Sequence, residues 1–178
     1  DICCTSGNAV KVIESLGVPK VIMIPDRFLA ANVARQTGVE VIVHPGACEV
    51  HERFTPNDIR QVRLENPGIT VLAHPECPPE VVDEADYAGS TAQMVKFVDA
   101  RRPLKVALIT ECSMSDNVSE AYPDIEFIRP CNLCPHMKRN TLAAIRHALE
   151  TMTNEVTVPA DVADRARLSV ERMLAVGK

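Results

Sequence analysis

The chain has no excess of positive charge. Its 19 Lys and Arg stand against 24 Asp and Glu, for a net charge of -5. This argues against nucleic-acid binding, which usually needs a basic surface. No apolar run approaches the roughly 20 residues that a membrane-crossing helix requires, so no membrane association is expected. No secretory leader opens the sequence. It begins Asp1-Ile2-Cys3-Cys4 without a methionine, and Asp1 reads as a cut point. An even cysteine framework is also missing. The seven cysteines are Cys3, Cys4, Cys48, Cys77, Cys112, Cys131 and Cys134. An odd count in an ordinary α/β pattern points to a cytosolic protein with reduced thiols, most of them small buried apolar groups.

What is present is enough for a core. The composition is 46% hydrophobic over 178 residues, which suits one domain or two small ones. Short apolar runs alternate with helical patterns. Strands are expected at Lys20–Ile24, Glu40–Val43, Thr70–Ala73, Val106–Ile109 and Ile125–Ile128, and Cys3-Cys4 also falls in a strand-like stretch. The runs are continuous and β-branched rather than alternating, so the strands should be buried on both faces. Helices are expected over Ala30–Gln36, Ala92–Val98, 136–151 and 160–175, the last beginning after Pro159. Strand–helix alternation implies right-handed βαβ units on parallel sheets.

A shift of 85 residues aligns the chain with itself, without gaps, over about 45 residues. Asp1 falls on Asp86, Val10-Lys11 on Val95-Lys96, and Lys20-Val21 on Lys105-Val106. Ile24 falls on Ile109, Asn32-Val33 on Asn117-Val118, and Pro45 on Pro130. Thr5-Ser6 matches Ser90-Thr91, Glu14 matches Asp99 and Asp26 matches Glu111 conservatively. Each copy carries a hydroxyl pair, a helix, a Lys-Val strand, a turn, a helix, a strand and a proline. A cysteine follows the proline: Cys48 in one copy, Cys131 and Cys134 in the other. Duplicated units tend to pack around a pseudosymmetry axis, which would bring their strand-end loops to one site.

Several motifs carry chemistry. Thr5-Ser6-Gly7-Asn8 and Gly89-Ser90-Thr91 precede helices. A helix start can bind an anion through free N–H groups and its positive dipole end; Ser and Thr there also act as ordinary caps. Cys48 with His51 could be a metal pair, a nucleophile with its base, or a buried thiol beside a capping histidine. His74-Pro75-Glu76 follows an apolar strand, and a histidine and a carboxylate at such a position suit acid–base work. The bland alternative is a polar loop. Cys131-Asn132-Leu133-Cys134-Pro135 is a Cys-x-x-Cys pattern, shared by zinc, redox and iron–sulfur sites. A second pair for structural zinc is missing, and iron–sulfur is favoured. Cys3, Cys4 and Cys112 read as core thiols, and Cys77 stays open beside the His-Pro-Glu loop.

Together these segments resemble the quinolinate synthase family. The matching stretches are Cys4–Ala9, Pro25-Asp26, Gln36–Gly38, Gly46–His51, His74–Cys77, Ala88–Thr91 and Cys134–Asn140. The resemblance implies three-layer αβα units with small parallel sheets, related by a pseudo-threefold axis. On that plan residues 1–50 are the C-terminal half of the middle unit and 51–134 the last unit. Residues 135–178 are then a helical segment packing on a first unit. The resemblance implies a transferase-type enzyme of de novo NAD biosynthesis, condensing iminoaspartate with dihydroxyacetone phosphate. Its cofactor is a 4Fe-4S cluster acting as a Lewis acid. Cys48 and Cys134 match two cluster ligands; the third belongs upstream of Asp1, so this chain alone should be inactive. By the same resemblance Glu76 transfers protons, and His51 and His74 bind or polarise substrate. Ser6, Ser90 and Thr91 hold phosphate or carboxylate. Cys131 matches an accessory cysteine that could form a redox pair with Cys134. A functional link to L-aspartate oxidase and a cytoplasmic location are implied as well.

Overall fold

The computed structural model describes residues 1–130 and 132–176. Cys131, and with it the Cys131–Cys134 pairing, lies outside the described residues. The chain forms two compact units, one of residues 5–133 and one of residues 1–4 with 134–178.

The larger unit alternates strands and helices. In chain order they are α1 (Ala9–Ser15), β1 (Lys20–Met23), α2 (Arg27–Ala34), β2 (Glu40–Val43), α3 (Pro56–Glu65), β3 (Thr70–Ala73) and α4 (Pro79–Asp83). They continue with β4 (Tyr87–Ala88), α5 (Thr91–Arg101), β5 (Lys105–Ile109), α6 (Cys112–Ala121) and β6 (Glu126–Ile128). β1 and β2 form a two-stranded sheet, and the other strands form a sheet in the order β4-β3-β5-β6. Every pairing is parallel. The fold is therefore α/β with small parallel sheets, as expected.

Alternation across the central strands explains why helices flank the larger sheet. Val71, Ala73, Ala107 and Ile109 face one side, against Ile59 and Val62 of α3 and Val81 of α4. Leu72, Val106 and Leu108 face the other, against Met94 and Val98 of α5 and Val118 of α6. These side chains are almost wholly buried, and each of those larger than alanine contributes about 1.5–3 kcal/mol by leaving water. A strand covered on both faces reads as an unbroken apolar run, which is why β3 and β5 stand out in the sequence.

The 85-residue repeat is visible in the elements. α2 starts at Arg27 and α6 at Cys112, 85 residues later, and β1 and β5 start at Lys20 and Lys105. The same ion pair ties each strand to its neighbour: Lys20 to Glu40 at 2.8 Å and Lys105 to Glu126 at 3.1 Å. The copies differ in cover. Ile22 and its partner Ile42 stay exposed, whereas Ala107 and its partner Ile128 are buried and half-buried.

The smaller unit contains α7 (Leu142–Thr151) and α8 (Ala160–Ala175). A helix expected from residue 136 begins only at Leu142, where the Thr141 side chain accepts the Ala144 N–H and caps it. A short 3-10 turn, Met137–Arg139, precedes it. Cys3-Cys4 is not a strand. Cys3 N–H instead donates to Ser169 of α8 at 3.1 Å. Among the described residues, no helix is long and apolar enough to cross a membrane.

Candidate functional site

Loops at the carboxyl ends of β2, β3 and β5 converge in the larger unit. After β2 the chain runs through Gly46-Ala47-Cys48 into a 3-10 turn, His51–Arg53. The Glu52 N–H donates to the Cys48 carbonyl at 3.0 Å, winding this turn back onto the cysteine. After β3 comes His74-Pro75-Glu76, and Thr110 follows β5 directly.

His51 is the hub. It is buried, and its Nε2 lies 2.9 Å from the buried Thr110 Oγ1. Its Nδ1 lies 3.1 Å from Glu76 Oε2, close enough for an ion pair but without the alignment of a good hydrogen bond. The Sγ of Cys48, one nitrogen of His51 and one carboxylate oxygen of Glu76 all lie within 4.8 Å of one another. His74 stacks on His51, with ring centroids 4.5 Å apart and planes 17° from parallel.

These contacts separate the protonation states of neighbouring groups. Burial opposes charge on His51, but Cys48 and Glu76 outweigh it and raise its pKa to about 9. The His51 imidazole is also the main reason that the Cys48 thiol lies below its ordinary value; burial opposes this, and the backbone N–H groups of His51 and Val50 reinforce it. Glu76 is held below the usual carboxylate range, first by the His51 imidazole beside it. His74 goes the other way: burial, then the positive His51, depress it to about 4. A neutral His74 accepts the Glu76 N–H at Nδ1, 3.3 Å away, which leaves its proton on Nε2. The arrangement thus holds an imidazolium, a carboxylate and a neutral imidazole beside a thiol whose ionisation is eased.

A cavity of about 330 Å³ opens beside this cluster, lined by Asp26, His44, Gly46, Cys48 and Glu76 among others. A larger one of about 500 Å³ is lined by Ser6, Gly7, Pro75, Gly89 and Gln93, with Lys11 and Asn32 further along. The two hydroxyl loops approach closely there. A side chain on Gly7 would meet the Ser90 hydroxyl at 3.0 Å. Ser90 caps α5, accepting the Gln93 N–H at 3.4 Å, while its own N–H donates to Gln93 Oε1 at 2.8 Å. Thr91 lines a separate cavity with Val95 and Met114.

The remaining cysteines divide by environment. Cys77 is fully buried, points its Sγ at the Ile109 carbonyl and has its thiol pushed up by burial, so it is a core group. Cys112 is buried but disulfide-bonded, a departure from the expected free core thiol. Cys134 is half-buried in the smaller unit, where its Sγ accepts the Met137 N–H at 3.5 Å. Thr110 and Asp26 were not legible as site residues. Their partners lie 59 and 22 residues away, and no local spacing announces such contacts.

The donor set suits a soft metal centre. A cysteine whose ionisation is eased is the kind of ligand that iron–sulfur clusters use, and His51 Nδ1 is a buried polar atom without a well-aligned hydrogen-bond partner.

The family model described as "Quinolinate synthetase A protein" matches residues 1–175. "Quinolinate synthase 2" of Mesorhizobium japonicum is 65% identical over 99% of this chain and 54% of its own length. The "Quinolinate synthase" proteins of Agrobacterium fabrum and Xylella fastidiosa are each 64% identical over 99% of the chain, with 51% and 52% of their own lengths matched. The chain thus spans about half the length of the curated relatives it matches, and it belongs to the quinolinate synthetase A protein family.

Proposed function

We propose that the chain carries much of the active site of a quinolinate synthase, which condenses iminoaspartate with dihydroxyacetone phosphate to give quinolinate, phosphate and two waters. The observation that carries this reading is the convergence of Cys48, His51 and Glu76 within 4.8 Å at the strand ends. Cys48 and Cys134 would hold a 4Fe-4S cluster with a third cysteine upstream of Asp1. When bound, the cluster supplies a Lewis acid for substrate oxygen or nitrogen.

The chain's own groups divide the remaining work. Glu76, kept ionised by His51, accepts a proton from substrate and returns it to a leaving hydroxyl. His51, kept charged, stabilises negative charge developing on substrate oxygen. The neutral His74 donates a hydrogen bond through Nε2. Ser6 and Ser90, with Thr91 at the start of α5, bind phosphate or carboxylate. On this plan residues 1–50 complete a middle unit, 51–134 form the last unit and 135–178 pack on a first unit. The enzyme would work in the cytoplasm on iminoaspartate supplied by L-aspartate oxidase. The 178 residues alone would be inactive, because two thiolates hold a cluster poorly.

A second reading rests on the same triad. A sulfur, a nitrogen and an oxygen ligand also suit one zinc ion. Metal analysis separates the two. The protein, extended upstream to the length of its relatives and purified anaerobically, should carry about four irons with matching sulfide. Stoichiometric zinc, or no metal, would contradict the iron–sulfur reading.

A further inference from the structure

We infer that Asp26 is a positioning residue that fixes the Cys48 loop by dividing its two carboxylate oxygens between helix α2 and the cysteine. The inference rests on the reading of Cys48 as a cluster ligand only for its functional meaning. Asp26 Oδ1 accepts the Leu29 N–H at 2.7 Å, capping α2. Asp26 Oδ2 accepts the Cys48 N–H at 2.8 Å, across 22 residues of chain.

Capping alone does not account for this carboxylate. Asn and Ser cap helices as well as Asp does, and neither carries a charge into the interior. Asp26 is only 6% exposed, and a buried carboxylate is costly unless each oxygen is satisfied. The second oxygen finds its partner in Cys48. The surrounding backbone is drawn to the same place. Arg27 N–H donates to the Gly46 carbonyl at 2.7 Å, and Gly46 N–H donates to His44 Nδ1 at 3.0 Å. A Cβ on Gly46 would stand 2.7 Å from the Pro25 carbonyl oxygen, so only glycine permits this approach. The loop before Cys48 is therefore pinned to the Pro25-Asp26 turn by backbone, by side chain and by the lack of a side chain.

The repeat keeps the cap and the backbone tie of this arrangement, with both carboxylate oxygens of the second copy turned to Ser113. Glu111, the counterpart of Asp26, caps α6 by accepting the Ser113 N–H at 2.8 Å. The next residue, Cys112, donates its N–H to the Asn132 carbonyl at 3.4 Å, echoing Arg27 and Gly46. An acidic cap followed by a backbone tie to the loop after the next strand thus occurs in both copies.

Holding the Cys48 N–H on Asp26 leaves the Sγ to His51 and to the backbone N–H groups of Val50 and His51. The clamp sets the direction in which the sulfur is presented. In the metal-free protein, amide exchange of Asp26→Asn and Asp26→Ser tests it. An asparagine has one carbonyl oxygen and can serve only one of the two N–H groups. A serine retains the cap and is too short for both. We expect the Cys48 amide to exchange at least about tenfold faster in D26S, the scale of a lost hydrogen bond to a charged group. Leu29 should stay protected. In D26N one of the two amides should lose protection while the other keeps it. Alkylation of Cys48 should change in rate, and that of Cys134 in the other compact unit should not. Protection of both amides in both variants overturns the inference. So does an equal loss across all of α2 and β1, which would make Asp26 a cap alone. Iron retained by Cys48→Ser in the upstream-extended protein refutes the ligand reading instead and leaves the clamp standing.

Discussion

Replacing Thr110 by valine tests whether the buried imidazole organises the site. Thr110 and His51 are 3% and 7% exposed, and their contact at 2.9 Å is the hydrogen bond at Nε2. His51 Nδ1 already lacks a well-aligned partner. Valine keeps the shape and removes the hydroxyl, so Thr110→Val strands a buried N–H with no acceptor. That costs about 1–3 kcal/mol, toward the upper end when the stranded group is charged. His51 is charged at pH 7, its pKa being raised to about 9. A loss near 2 kcal/mol should therefore appear in urea unfolding of the metal-free protein, as a lower midpoint at unchanged slope. Thr110→Ser, which keeps the oxygen, should lose under about 1 kcal/mol, the scale of one deleted methyl. The double variant with His51→Ala should show a coupling of at least about 0.5 kcal/mol. If Thr110→Val unfolds like the parent, or if the two changes simply add, then Thr110 does not hold the ring and His51 is not the hub.

Three further outcomes follow from burial and charge. In the metal-free protein Cys48 should alkylate at lower pH than Cys77, since His51 lowers one thiol and burial raises the other; mass spectrometry after a pH series of iodoacetamide pulses reads the order, and the reverse order contradicts the site electrostatics. His74 must stay neutral in the folded protein, with its pKa lowered from 6.5 to about 4. Its contribution to stability is therefore present above pH 6.5 and lost as pH falls through 4. His74→Gln should flatten the unfolding profile across that window, and an unchanged profile would place the acid loss elsewhere. Leu72→Ala, in the wholly buried centre of the larger sheet, should cost about 2–5 kcal/mol. Ile22→Ala, at a position 73% exposed, should stay within about 0.5 kcal/mol, and comparable losses at both would contradict the packing described.

The fold was legible where burial is two-sided. β3 and β5 are covered on both faces, so their sequences are unbroken apolar runs. β1 and β2 were also read from their apolar runs, although Ile22 and Ile42 remain exposed and the apolar signal has no such cover in the structure. β4 escaped a precise assignment because two residues show no period. Cys3-Cys4 misled because a short apolar run does not say what it packs on; here Cys3 meets α8. In the site, the Cys48–His51 spacing and the His74-Pro75-Glu76 loop brought these residues to notice, and the structure places them in one cluster. Thr110 and Asp26 stayed hidden because their contacts cross the chain. Gly46 was seen only as part of a motif. Its reason, the Pro25 carbonyl oxygen pressed against it, exists only in three dimensions.

We propose that Cys48 and Cys134 serve one iron–sulfur centre. The most direct measurement is iron and acid-labile sulfide per chain after anaerobic reconstitution, in the upstream-extended protein and its single Cys→Ser variants. About four irons are expected in the parent, with most of that iron lost in both Cys48→Ser and Cys134→Ser and retained in Cys77→Ser. Full iron content in either Cys48→Ser or Cys134→Ser would contradict the proposal.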